Sequence, residues 1–199
     1  MIKYGAGTAL IVVDLQNDFA DPAGRLYVAG GVDVVRSCNR EIERARAAGA
    51  FVIFTQDWHP ERTPHFKSFG GLWPDHCVAG TWGAEFHPEL LRGPDEVIQK
   101  GDAGEDGYSG FSVRDVGSDH SRPTRLDGIL RTNGVDRLVV VGLAGDYCVG
   151  ATARDARALG YDVVVPPDRV AFVELAAGDT ERTWRELAEL GVRCESSDP

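Results

Sequence analysis

The stretch QDWHPERTPHF, with WPDHC a few residues on, gathers two aspartates, three histidines and a cysteine into a short span. Asp57 and His59 lie two apart on what reads as extended chain, so both side chains project to one side. The prolines of PERTPHF turn the chain enough to fold His65 back toward them, and His76 can close the set. One carboxylate and three imidazoles form a donor set of borderline softness, suited to one divalent ion such as Zn(II), Fe(II) or Mn(II), with coordination positions left for a ligand atom. The spacing matches neither a zinc finger nor HExxH. A histidine-rich loop can equally be solvated polar surface. His87 and His120 have no comparable partners and read as structural or exposed.

A second candidate chemistry centres on Cys148, at the end of RLVVVGLAGDYC, where an apolar run passes into a helix. A thiol at a helix N-terminus meets unsatisfied backbone N–H groups and the positive end of the helix dipole, which favour thiolate. The same donors can stabilise an oxyanion. The plain alternative is a small buried hydrophobe. Asp14 ends the run TALIVVD and Lys100 ends DEVIQK. Each has a plain reading, as a turn cap and a surface charge. Together with Cys148 they form a working set: a carboxylate to move protons, an ammonium to favour thiolate, and a nucleophilic sulfur. Cys77, beside His76, reads as a ligand or a packed residue. Cys38 falls on an apolar helical stripe and Cys194 in the last apolar run, and both read as core.

The elements that must position these residues repeat one pattern. Four helix-like segments end at a glycine and pass at once into a β-rich run: RARAAG into AFVIFTQD, ILRTNG into VDRLVVVG, DARALG into YDVVVP, and ELAELG into VRCES. Glycine closes a helix in the left-handed conformation, and Val/Ile runs suit strands buried on both faces. With TALIVVD and DEVIQKG the count is six strands. The expectation is a three-layer α/β/α, Rossmann-like fold around a six-stranded, mainly parallel sheet with right-handed crossovers. In such a sheet ligands bind beyond the carboxyl ends of the strands, where Asp14, Asp57, His59, Lys100 and Cys148 all fall. Residues 57–88, aperiodic and rich in Pro, Gly and His, read as a long functional loop, and GDAGEDGYSG as a short Gly/acid loop.

At 199 residues and 43% hydrophobic content, one domain over 1–199 is expected. A net charge of −10 without a Lys/Arg run disfavours nucleic acid and anionic lipid as partners. TALIVV stops at Asp14, far short of a membrane span, and no basic leader precedes it, so a cytoplasmic protein with no membrane partner is expected. The four dispersed cysteines then read as free thiols.

These motifs carry a resemblance. VVDLQNDF, QDWHP with the histidine beyond it, WPDHCVAGT followed by GAEFHPEL, QKG, YSGF and VVVGLAGDYCV resemble, in order, the nicotinamidase/pyrazinamidase branch of the isochorismatase-like cysteine hydrolases, from residue 8 to about 172. The resemblance implies hydrolysis of a small carboxamide, nicotinamide and with it pyrazinamide, to the acid and ammonia through a thioester in NAD salvage; the alternatives are a same-family hydrolase of another amide or lactam and a non-catalytic binding module on the same fold, and a homo-oligomer is left open as a partner. It places a catalytic triad on Asp14, Lys100 and Cys148 and metal ligands on Asp57, His59, His65 and His76. It implies ring contacts from Phe19, Trp73, Tyr108 and Leu143. It also implies a cis Leu143–Ala144 peptide, with the N–H groups of Ala144 and Cys148 as oxyanion donors. Two positions depart from the pattern: Gly145 stands where many relatives carry a hydroxyl residue, and Trp82 where proline is common.

Overall fold

The structure, a computed structural model, describes residues 2–101, 104–105, 107–115 and 120–197. In chain order the elements are β1 (Thr8–Val13), α1 (Asn17–Ala20), α2 (Gly31–Ala47), β2 (Phe51–Asp57), β3 (Glu96–Lys100), β4 (Ser112–Arg114), β5 (Ser121–Pro123), α3 (Leu126–Thr132), β6 (Arg137–Leu143), α4 (Gly150–Ala158), β7 (Asp162–Val164), β8 (Val170–Ala171) and α5 (Asp179–Glu189). The main sheet runs β3-β2-β1-β6-β7, all pairs parallel, with β8 joining β6 beyond the end of β7. Among the described residues no helix is long and apolar enough to cross a membrane.

Both faces of β1 are buried, as a continuous apolar run requires. Leu10 and Val12 pack on one side with Val34, Val35, Cys38 and Ile42 of α2. Ala9, Ile11 and Val13 pack on the other with Leu126 and Leu130 of α3, Ala153 and Ala156 of α4 and Leu187 of α5. These are the three layers expected. Gly49, Gly134, Gly160 and Gly191, which close the four helix-to-strand units, all have positive φ, the conformation that made them legible as stops.

The sixth strand is a correction. It is not the VRCES segment but Val170–Ala171, paired to Gly142 and Leu143. The final segment makes one parallel bridge, Arg193 to Val164, because only Val192 in it is a buried apolar residue. Cys194 is accordingly exposed rather than core. The β4–β5 ribbon, antiparallel and outside the main sheet, was not expected. Residues 102, 103 and 106 of the Gly/acid loop lie outside the described residues.

Chain order reverses between β1 and β6: β1 leads to β2 on one side, and after β3 the chain crosses to β6 on the other. The crevice above that reversal is where an open parallel sheet offers a ligand site. Asp14 leaves β1 there and Cys148 follows β6.

Candidate functional site

Asp14 terminates β1 with φ 47, in the left-handed region that non-glycine residues seldom occupy. The turn takes the chain out of the ladder, and the side chain of Gln16 takes its place against Asp57. Its Oε1 accepts the Asp57 N–H at 2.8 Å and its Nε2 donates to the Asp57 carbonyl at 2.7 Å. Asp57 and Lys100 face each other in the β2–β3 register, so both are delivered to the same rim.

Lys100 is the hub. Its Nζ, 1% exposed, lies 2.7 Å from Asp14 Oδ2, 2.9 Å from Asp57 Oδ1, 3.0 Å from the Tyr108 carbonyl and 3.4 Å from Cys148 Sγ. Burial pushes its pKa down, but Asp14 and Asp57 outweigh burial and hold it well above the usual lysine value, so it is an ammonium. Asp14 shows the opposite balance: burial raises it more than Lys100 lowers it, and Asp57 adds to the rise. Burial would raise Asp57 too, yet Lys100 and then His59 hold it below the usual carboxylate range.

Cys148 sits in a π-helical turn, Gly145–Val149, that opens into α4, close to the helix start expected. Its ionisation does not follow the local helix argument. Burial pushes the thiol well above its usual pKa; Lys100 pulls it down, and Asp14 and Asp57 push it up again. The resting group is a thiol beside a base, not a free-standing thiolate. The Leu143–Ala144 peptide preceding the turn is cis.

The three histidines converge. One ring nitrogen from each of His59, His65 and His76 lies within 4.8 Å of the others, all three side chains buried. His59 Nε2 and His76 Nε2 stand 3.7 and 3.9 Å from Asp57 Oδ2, beyond hydrogen-bonding distance. His76 Nδ1 is 2.7 Å from the Pro74 carbonyl, which accepts its proton and leaves Nε2 as a lone-pair donor facing inward. Burial lowers the His76 pKa to about 4, so it is a neutral imidazole, the form that ligates. Neither ring nitrogen of His59 has a hydrogen-bond partner although the residue is 2% exposed. An orphaned buried imidazole, with two more and a carboxylate turned toward it, fits a metal ion of the Zn, Fe or Mn type. A second group, Asp14, Asp57 and Cys148, also has ligand atoms within 4.8 Å, but the Lys100 ammonium already supplies its cation.

Both clusters open into one cleft of about 480 Å³, lined by Asp57, the three histidines and Cys148 together with Phe19, Trp73, Tyr108, Leu143 and Ala144. Asp14 and Lys100 lie beneath its floor, 0% and 1% exposed. Phe19 packs on His76 with centroids 5.4 Å apart. Trp73 Nε1 donates to the Tyr108 hydroxyl at 2.9 Å. The sequence reading thus named every member of the two clusters but not five further lining residues, Gly107 among them. Tyr147 stands edge-on to both Trp73 and Tyr108, and Leu26, Val28 and Val173 complete the lining. Tyr147 could have been found from its place beside Cys148. The others lie on segments without a period.

Cys77 is buried with its backbone at φ 44 and its sulfur toward the Gly83 carbonyl, a packed residue rather than a lining one. His87 is buried, its Nδ1 accepting the Glu89 N–H, and His120 is exposed. Trp82 is 48% exposed and contributes its carbonyl to Asn17, away from the cleft. Gly145 packs against the ring of Phe172, which fills the space a side chain would need.

The family model of the isochorismatase domain matches residues 8–198. Nicotinamidase of Escherichia coli K12 is 37% identical over 201 residues, covering 92% of each chain. PnC1 from L. infantum, solved in complex with nicotinate, superposes with a TM-score of 0.89 at 35% identity over 98% of this chain and 96% of its own. Pyrazinamidase of Pyrococcus horikoshii in complex with zinc gives 0.84 at 38% identity over 96% and 99%.

Proposed function

The chain belongs to the isochorismatase-domain family, and from that premise we propose that it is an amidase hydrolysing nicotinamide, and pyrazinamide with it, to the acid and ammonia through a thioester on Cys148. The observation that carries the reading is the Lys100 hub. One ammonium contacts a buried carboxylate at 2.7 Å and a thiol at 3.4 Å beneath a cleft whose walls hold three imidazoles and an aromatic cage. Nicotinamidase and pyrazinamidase relatives over nearly the full length support the substrate class.

In the acylation step Asp14 takes the Cys148 proton as sulfur attacks the carboxamide carbon. The developing oxyanion is received by the N–H groups of Ala144 and Cys148, and Asp14 passes the proton to departing ammonia. In deacylation Asp14 takes a proton from water, the water oxygen displaces sulfur, and the proton returns to Cys148. The elevated proton affinity of Asp14 suits a group that must accept and release a proton twice per turnover. Lys100 stays protonated throughout and offsets the negative charge that collects on sulfur and carboxylate.

Phe19, Trp73 and Tyr108 hold the ring, and Asp57, His59, His65 and His76 would hold a divalent ion, zinc being the metal of the Pyrococcus relative. When bound, that ion supplies a Lewis-acidic anchor for the ring nitrogen. Turnover of nicotinamide, pyrazinamide and benzamide, with and without chelator and with bound metal quantified, tests the proposal. Nicotinamide and pyrazinamide should be hydrolysed, chelation should abolish turnover, and benzamide, which lacks the ring nitrogen, should be a far poorer substrate. Equal rates on benzamide would remove the ring-anchoring role. Absence of nicotinamide turnover in the metal-loaded protein would point to another amide or lactam.

A further inference from the structure

We infer that Thr55 is a positioning residue for this chemistry: by donating its hydroxyl to Asp14 Oδ1 at 2.6 Å it fixes the plane of the carboxylate that moves the proton. The inference rests on the amidase reading above for its kinetic consequence, but the geometry is independent of the substrate.

The terminal torsion of an aspartate is broad, so a carboxylate held by one donor can swing. Asp14 is held by two, from different strands: Lys100 at the end of β3 donates to Oδ2, and Thr55 within β2 donates to Oδ1. Lys100 cannot set the plane alone. Its three protons go to Asp14, the Tyr108 carbonyl and Cys148, while Asp57 draws it as an ion pair at 2.9 Å, so its direction answers to all four. The Thr55 hydroxyl makes one bond, at the short distance of a charge-assisted O–H···O⁻ contact.

Thr55 is itself held rigidly. It is 0% exposed, and its β-branched side chain has few rotamers open to it. Its methyl abuts Gly110 so closely that a Cβ there would come within 3.0 Å. Its carbonyl accepts the Asp14 N–H at 3.3 Å, so one residue grips Asp14 at backbone and carboxylate together. In the sequence Thr55 reads only as a good strand former, two residues before Asp57 and on the same face.

Thr55→Val and Thr55→Ser in the metal-loaded protein separate positioning from packing. Valine keeps the branch and loses the hydroxyl; serine keeps the hydroxyl and loses the methyl. With nicotinamide, valine should lower kcat by about ten- to hundred-fold, the cost of a misplaced catalytic group, at unchanged KM and metal content, with a lowered melting temperature because a buried carboxylate oxygen loses its donor. Serine should recover most of it. Alkylation of Cys148 by iodoacetamide, read peptide by peptide in a mass spectrometer, should slow in the valine variant and recover in the serine one. Parental kcat and alkylation in the valine variant, or equal losses in both, would overturn the inference. A parent protein inert toward nicotinamide would sink the proposed substrate, while the alkylation series would still decide the role of Thr55.

Discussion

Gly145 begins the turn that carries the nucleophile, and the space beside it is already full. A Cβ built there would lie 2.4, 2.6 and 2.7 Å from three carbons of the Phe172 ring. Ordinary contact begins near 3.4 Å, so the ring or the turn must retreat by roughly an ångström on substitution with even a methyl group. The ring is braced by Trp184, with centroids 5.3 Å apart. The turn is tied down in turn by Asp146, whose carboxylate accepts the N–H groups of Val173 and Glu174. Neither side yields freely, and overpacking of this kind costs about 1–3 kcal/mol. Gly145→Ala should therefore lower the unfolding free energy by that amount, read as a lower urea midpoint at constant m-value, and kcat/KM should fall as Cys148 is displaced. Phe172→Leu, which withdraws the ring atoms, should relieve the strain, so the double variant should be more stable than the sum of the single changes by at least about 1 kcal/mol, well outside the additivity error of ~0.5 kcal/mol. A neutral Gly145→Ala, or a double-mutant cycle with coupling inside that error, would show that the turn accommodates a side chain by another route. It would also remove Phe172 as the reason glycine stands where a hydroxyl residue is common.

Two further outcomes follow from the hub. Cys148→Ala should abolish turnover with the urea midpoint nearly unchanged, because alanine suits the turn and only the sulfur is lost; residual activity in a preparation free of parent protein would move the chemistry elsewhere, with buried Cys77 next to be tested. Lys100→Met should both stop turnover and destabilise the fold by about 3–5 kcal/mol, since it leaves Asp14 and Asp57 buried without their cation, and it should slow alkylation of Cys148; an equally stable variant with parental alkylation would strip the lysine of its electrostatic part.

What could be read from the chain is explained by which interactions are local. Helix stops at Gly49, Gly134, Gly160 and Gly191 depend on one residue's backbone freedom, and the strands on runs of buried Val and Ile, so both were legible. Both clusters were legible because Asp14, Asp57, Lys100 and Cys148 stand at the ends of apolar runs and His59, His65 and His76 fall within one short histidine-rich stretch. Val170–Ala171 was not, since a two-residue strand has no pattern, and its place beside β6 follows from the Pro166–Pro167 turn ahead of it. Gln16 and Thr55 escaped notice because their roles lie in partners 41 positions away. The resting state of Cys148 escaped for the same reason: the helix start is visible in sequence, whereas the burial that chiefly raises its pKa, and the two carboxylates that add to it, arise only in the folded sheet.

The two clusters are therefore not two sites. Asp57 belongs to both, with Oδ1 against Lys100 at 2.9 Å and Oδ2 toward His59 and His76 at 3.7 and 3.9 Å. Ionised Asp14 and Asp57 against one ammonium leave the dry floor of the cleft with one negative charge in excess, a costly state for groups 0% and 5% exposed. Burial first, and then this excess charge, raise the proton affinity of Asp14 and Cys148 against the pull of the lysine between them. A divalent ion among the imidazoles would reverse that sign at the one carboxylate shared with the nucleophile. With an ion bound, the histidine loop would do more than add a binding wall: through Asp57 it would bear on the charge that Asp14 and Cys148 experience, and the β2–β3 register that places Asp57 opposite Lys100 builds that connection into the sheet.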